Sequence, residues 1–271
     1  MKGSMKNQIW QAFTIAVILS FGIPAGQAHA GDAPASLSAA EIIKQAAAKY
    51  ASLKSYSDEG ATASKLGNLI AASYTFNIKL ARSNLYQVIW WEPDQVYTPK
   101  GVVWSAGNGN FLWMGKSFTK QKCADQERAL ASATGISGGV AANIPGTFFK
   151  MNWGNQLGVT ADGARRKADE KIGDVDCFVL THGAGGRTNI LWIGKNDFLI
   201  HQVENDTSAA LLKRTLEEQA KKNPQIRTLL ETAGSQMFQD SKTVETHRHI
   251  VINPLLTATD FDYHVPAVPP Q

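Results

Sequence analysis

Residues 188–205, TNILWIGKNDFLIHQVEN, read as two strands around a polar turn, and nearly every strand position up to Val203 is apolar or aromatic. A hairpin on a solvated sheet alternates between a core face and a wet face. This one is apolar on both. The chain must therefore place protein or a ligand on each side of the sheet to which the hairpin belongs.

Period-two patterning runs through most of the chain. Stretches at about 57–65, 70–80, 85–91, 101–106 and 110–114 read as strands, and Gly107-Asn108-Gly109 supplies the positive φ angles of a tight hairpin between the last two. The pattern resumes near 147–153, 165–172, 175–182, 188–193 and 198–205, and TVETHRHIVI makes a final strand. Helical spacing interrupts it three times. SLSAAEIIKQAAAKYASLKSY opens with a capping box, Ser38 to Glu41, and puts Ala39, Ile43, Ala46, Tyr50 and Leu53 on one face. Residues from Cys123 to about Ile144 favour helix with glycine breaks. SAALLKRTLEEQAKKNPQIRTLLETAGSQM carries two amphipathic helices, divided at Pro224 and ended at Gly234. A Pro-rich tail from Asn253 should run along the surface.

About eleven antiparallel strands in one sheet should curl. The expected class is α+β, mainly β: a curved antiparallel sheet with an N-terminal helix and inserted helices at 207–234 covering its concave face. No linker or repeat divides residues 31–271, which read as a single domain.

Residues 1–30 carry the pattern of a secretory signal peptide. Lys2 and Lys6 precede the uncharged IWQAFTIAVILSFGIPA, and Ala28-His29-Ala30 marks cleavage after Ala30. The most apolar part, Ile15 to Ile23, is shorter than the roughly 20 residues of a spanning helix. The expected location is the periplasm. That segment holds two lysines and no acid, so the remainder has 25 basic and 23 acidic residues, a net charge of +2. Such a balance excludes a nucleic-acid binder, which would show a basic face or run. In an exporting compartment the two cysteines, Cys123 and Cys177, are expected to form a disulfide. It would close a loop of about 54 residues and stabilise by roughly 4 kcal/mol.

A leading helix, a long meander, then EKIGDVDCFVLT with its Gly-Asp turn, LWIGKNDFLIHQV and ETHRHIVINPLL resemble the periplasmic LolA/LolB-like superfamily, nearest to its predicted periplasmic proteins rather than the lipoprotein carriers. The resemblance covers most of residues 36–264. It implies a half-open barrel with helices in the mouth and a concave face that holds acyl chains or lipoprotein segments. The implied function is a non-catalytic carrier or envelope sensor, with lipid or lipoprotein acyl chains as partners and only transient membrane contact. On that reading Trp90, Trp104, Phe111, Trp113, Leu191, Ile193, Phe198 and Ile200 are candidates to line a hydrophobic cavity. Alternate strand residues face opposite sides, so only one set of them can. A closed aromatic core filled by the helices is the alternative, and suits a ligand-free module that binds an envelope protein.

A third class is a metal-dependent enzyme. Glu245, His247 and His249 alternate along the last strand and should share one face, which could present two imidazoles to Zn²⁺ or Cu²⁺. A third ligand would have to come from His264, His201 or His182, and two solvated histidines are the commoner arrangement. No cofactor motif is present. Gly107-Asn108-Gly109 and GAGGR at 183–187 do not lead into helices as nucleotide loops do, and no G-x-S-x-G occurs.

Overall fold

The alternating segments form a single antiparallel sheet of twelve strands in the computed structural model, which describes residues 37–266 apart from 68, 96–97, 116, 118 and 234–237. The segment read as an export signal lies outside the described residues. The strands are β1 (Ser55–Leu66), β2 (Leu69–Ala81), β3 (Leu85–Trp91), β4 (Gly101–Ser105), β5 (Asn110–Met114), β6 (Gln121–Cys123), β7 (Arg165–Arg166), β8 (Glu170–Ile172), β9 (Val175–Ala184), β10 (Arg187–Gly194), β11 (Ile200–Thr207) and β12 (Ser241–Ile252). Their order is β6-β5-β4-β3-β2-β1-β12-β11-β10-β9-β7, with β8 also on β9. Two meanders thus meet where the first strand pairs with the last. The order has two free ends, so the curved sheet stays unclosed, a half-open barrel.

Six α-helices occur among the described residues: α1 (Ala39–Ser52), α2 (Gln126–Thr134), α3 (Asn143–Phe149), α4 (Gln156–Ala161), α5 (Ala209–Ala220) and α6 (Pro224–Ala233). The capping box of α1 forms as expected, with Ser38 N–H donating to Glu41 Oε2 at 2.8 Å. Its buried face, Ile42, Ile43, Ala46 and Tyr50, lies in the main core with Leu130 of α2, Phe148 of α3 and Leu157 of α4. Arg82, in the β2–β3 turn, ties two of these helices down. Its guanidinium donates to the carbonyls of Tyr50, Leu53 and Phe148 at 2.7–2.9 Å and stacks over the Phe148 ring. A cation there satisfies carbonyls left free at helix C-termini.

Two expectations are corrected here. The cover of the concave face comes from α1 to α4, whereas the inserted pair α5–α6 packs chiefly on itself, and Ala220 is the one buried residue of α5. The segment near 147–153, expected as a strand, holds the end of the short helix α3. Pro145 sits in its first turn, where no N–H is needed, and a short apolar run does not distinguish helix from strand by period.

The two-faced hairpin now has its explanation. Leu191, Ile193 and Ile200 face the helices, while Ile190 and Trp192 join Cys177 and Val179 in a separate cluster on the convex side, with Trp192 Nε1–H donating to Glu170 at 2.9 Å. In the other half the convex cluster Val102, Trp104, Phe111 and Trp113 is covered by the C-terminal tail, whose Tyr263 ring lies 5.6 Å from both Trp104 and Trp113. The expected Cys123–Cys177 disulfide is not formed; both are free, buried thiols. Cys123 belongs to the concave core on the end strand β6 and Cys177 to the convex cluster on β9, so the sheet itself stands between them.

Candidate functional site

The strand register divides the eight cavity candidates. Trp90, Leu191, Ile193 and Ile200 meet in the concave core, and Phe198 packs at its margin. Trp104, Phe111 and Trp113 stand on the convex face and never meet the others. The concave set is buried among helix side chains: Trp90, Leu191, Ile193 and Ile200 have no exposed surface.

Within this apolar interior sits a charged cluster. Asp58 on β1 and Glu245 and His247 on β12 point to the concave side, with all three side chains fully buried. His247 Nδ1 is 2.6 Å from Asp58 Oδ2, which also accepts from Tyr56 Oη at 2.7 Å. His247 Nε2 lies 3.1 Å from Glu245 Oε1, close enough for charge attraction but off the line of a hydrogen bond. The Phe76 ring closes the cluster edge-on, 5.5 Å from the imidazole. Burial by itself disfavours the imidazolium, but the Asp58 charge and hydrogen bond, then Glu245, outweigh it and push the His247 pKa up to about 10. Burial and the Asp58 charge likewise raise the Tyr56 hydroxyl well above its usual value, so it stays a donor.

The expected sharing of one face by His247 and His249 is corrected. Register slips between Ser57 and Glu59, and His249 takes φ +50°, a bulge that turns its ring outward to Glu59 at 3.2 Å. The two imidazoles therefore do not converge, and among the described residues no group of three potential ligands is arranged to hold a metal.

From Glu245 a line of carboxamides leads outward. Asn143 Nδ2 donates to Glu245 Oε2 (2.7 Å), Gln156 Nε2 to Asn143 Oδ1 (2.6 Å), and Asn189 Nδ2 both to Gln156 Oε1 (2.6 Å) and to Asn205 Oδ1 (2.8 Å). The line ends in a cavity of about 380 Å³ between α4 and the ends of β9, β10 and β11, lined by Gln156, His182, Arg187, Asn189, Asn205 and Thr207 among others. On the other side of α4 lies an apolar crevice of about 250 Å³, bounded by Ile43, Ala47 and Tyr50 of α1, Thr147 of α3, and Leu157 and Ala161 of α4. A helix of six residues thus separates a polar recess from an apolar one. The sequence reading missed all four amides. Asn189 did carry a signal, as a lone amide inside TNILWI at a position facing the core, but its partners are scattered along the chain.

No protein-family model matches the chain, and no curated protein matches it. Solved structures similar to it include a LolA superfamily protein from Nitrosomonas europaea (13% identity, 84% of this chain and 99% of that one, TM-score 0.36). Others are a DUF1329 family protein from Desulfovibrio piger (9%, 83% and 95%, TM-score 0.36) and LprF from Mycobacterium bovis (9%, 81% and 94%, TM-score 0.44).

Proposed function

We propose that the protein is a non-catalytic binding protein of the bacterial envelope, a carrier or sensor that takes up an acyl chain of a lipid or lipoprotein. The observation that carries this reading is the apolar crevice between α1, α3 and α4. The concave sheet face is filled, so the chain would lie among the covering helices rather than against the strands. The crevice is slightly smaller than the roughly 300 Å³ at which ligand pockets begin, so uptake requires α4 to shift. Gly163, at φ +78°, follows that helix with only the His182 ring near it, and is the position at which such a shift would be absorbed. Export to the periplasm rests on the pattern of residues 2–30; no helix among the described residues is long and apolar enough to cross a membrane.

Each buried methylene contributes about 0.8 kcal/mol, but a bilayer offers nearly the same, so apolar burial holds a chain without deciding where it goes. Displacement of a fluorescent fatty acid tests the reading. Wild-type protein should bind the probe, and Ala161→Trp, at the exposed rim of the crevice, should abolish binding while leaving the fold intact. Absence of binding, or equal binding by the variant, would refute it. The second reading, a ligand-free interaction module, is favoured by the filled core and by Leu69 and Ile70, each 70% exposed at the start of β2.

A further inference from the structure

The direction of the amide line is set at its inner end. An ionised carboxylate only accepts, so the Asn143 NH₂ must face Glu245, and its carbonyl then faces outward. The same logic repeats at each link. Gln156 must turn its NH₂ to the Asn143 oxygen, and Asn189 must turn its NH₂ to the Gln156 oxygen. Thr160, whose hydroxyl already donates to the Gln156 carbonyl, packs beside the Asn189 oxygen at 3.4 Å. Two protons of Asn189 are then committed, the second to Asn205 Oδ1, which leaves the Asn205 NH₂ as the outward end. His247 Nε2 stands 3.1 Å from the other oxygen of Glu245, so the carboxylate on which this ordering depends is held in place from both sides. A buried charge deep in the core therefore dictates that the mouth cavity is offered hydrogen-bond donors.

A guanidinium donor and an imidazole nitrogen stand around the same spot. His182, Asn189 and Asn205 form one row across β9, β10 and β11, and Arg187 is two residues further along β10 on the same face. His182 and Asn205 are two strand spacings apart, about 10 Å between backbones, so their side chains flank a gap into which Arg187 can lean. The Arg187 guanidinium, the Asn205 NH₂ and His182 Nδ1 have no hydrogen-bond partner among the described residues. The carboxylate of Asp206 also borders the cavity, but strand alternation directs it to the convex side with Lys242, its cross-strand neighbour.

We propose that this mouth cavity is a binding site for a tetrahedral oxyanion of the phosphate type, held by Arg187, Asn205 and His182. Donors arriving from three strands suit a tetrahedral group better than a flat carboxylate, and the Arg fork matches phosphate oxygens. The group is either free phosphate or the phosphate ester of a lipid headgroup whose chain would cross to the apolar side of α4. The site itself does not rest on the acyl-chain reading, since inorganic phosphate has no chain to bury.

Calorimetric titration of the full chain at low ionic strength with inorganic phosphate and, separately, with short-chain dihexanoyl phosphatidate tests it. At least one should bind wild-type protein, and Asn205→Asp and Arg187→Gln should each weaken that binding about tenfold or more, the loss of one charge-assisted hydrogen bond. Asn205→Asp keeps the oxygen that Asn189 needs, and Arg187 is exposed, so both variants should fold. Tighter binding of the phosphatidate identifies a lipid headgroup, and equal binding identifies free phosphate; either supports the site. Fatty-acid binding should survive in both variants, which separates this site from the crevice. The proposal is overturned if neither compound binds, or if either variant binds as tightly as wild type.

Discussion

His247 is held between two carboxylates beyond the reach of solvent, and such burial is stable only while the charges remain paired. Its folded pKa, raised to about 10, lies above the roughly 6.5 of an unfolded histidine. The stabilisation it provides is complete below about pH 6.5 and is lost as pH rises through about 10. Urea unfolding across that window should therefore show wild-type stability falling with pH. His247→Gln should begin about 3–5 kcal/mol lower, with two carboxylates left facing each other, and should lose the slope. Stability that stays flat or rises across the window would contradict the arrangement. Little of this cluster was legible beforehand. Alternation places Glu245 and His247 on one face, but nothing local pairs His247 with Asp58, 189 residues away. Nor does a strand pattern announce the bulge that sends His249 to the surface.

At the scale of elements, period and capping served well where the signal is local. The Ser38 cap, the N-terminal helix and the strands β2 and β3 fall where spacing puts them, because each depends on residues within a few positions, whereas β11 starts two residues later than expected because Phe198 takes φ +56° in the turn. The helices that fill the barrel were harder to read. α3 and α4 have seven and six residues, too short for a 3.6 period to show, and their apolar character comes from burial rather than from one face. The opposite error attends α5 and α6, whose clear amphipathic pattern suggested cover for the sheet although the two helices pack chiefly on each other. Excising residues 210–238 and joining the ends with a short Gly/Ser turn should leave the core intact, because Asp240 Oδ1 accepts from Ala209 N–H at 2.8 Å and the ends are already adjacent. The thermal midpoint should move by no more than about 2–4 °C, the shift that about 1 kcal/mol makes in a domain of this size. A collapse of the cooperative transition would mean that the hairpin is part of the core.

The described residues form a half-barrel whose concavity is occupied by the four helices α1 to α4, with an apolar crevice on one side of α4 and a polar cavity on the other. Curvature and mainly-β class follow from strand number and alternation, which is why they were legible. Whether the concavity is open was not, because an aromatic residue lining a cavity and one packed in a core look alike in sequence. Trp104, Phe111 and Trp113 show the difficulty: their cover is Tyr263 and its neighbours, well over a hundred residues further along the chain. On the proposed function, this plugged barrel still accepts an acyl-bearing amphiphile at α4. Native mass spectrometry of the protein purified from cells without detergent measures this most directly. The expected result is a reproducible adduct with the mass of an acyl-bearing molecule, released on denaturation and absent from Ala161→Trp; the bare polypeptide mass alone would contradict the proposed function.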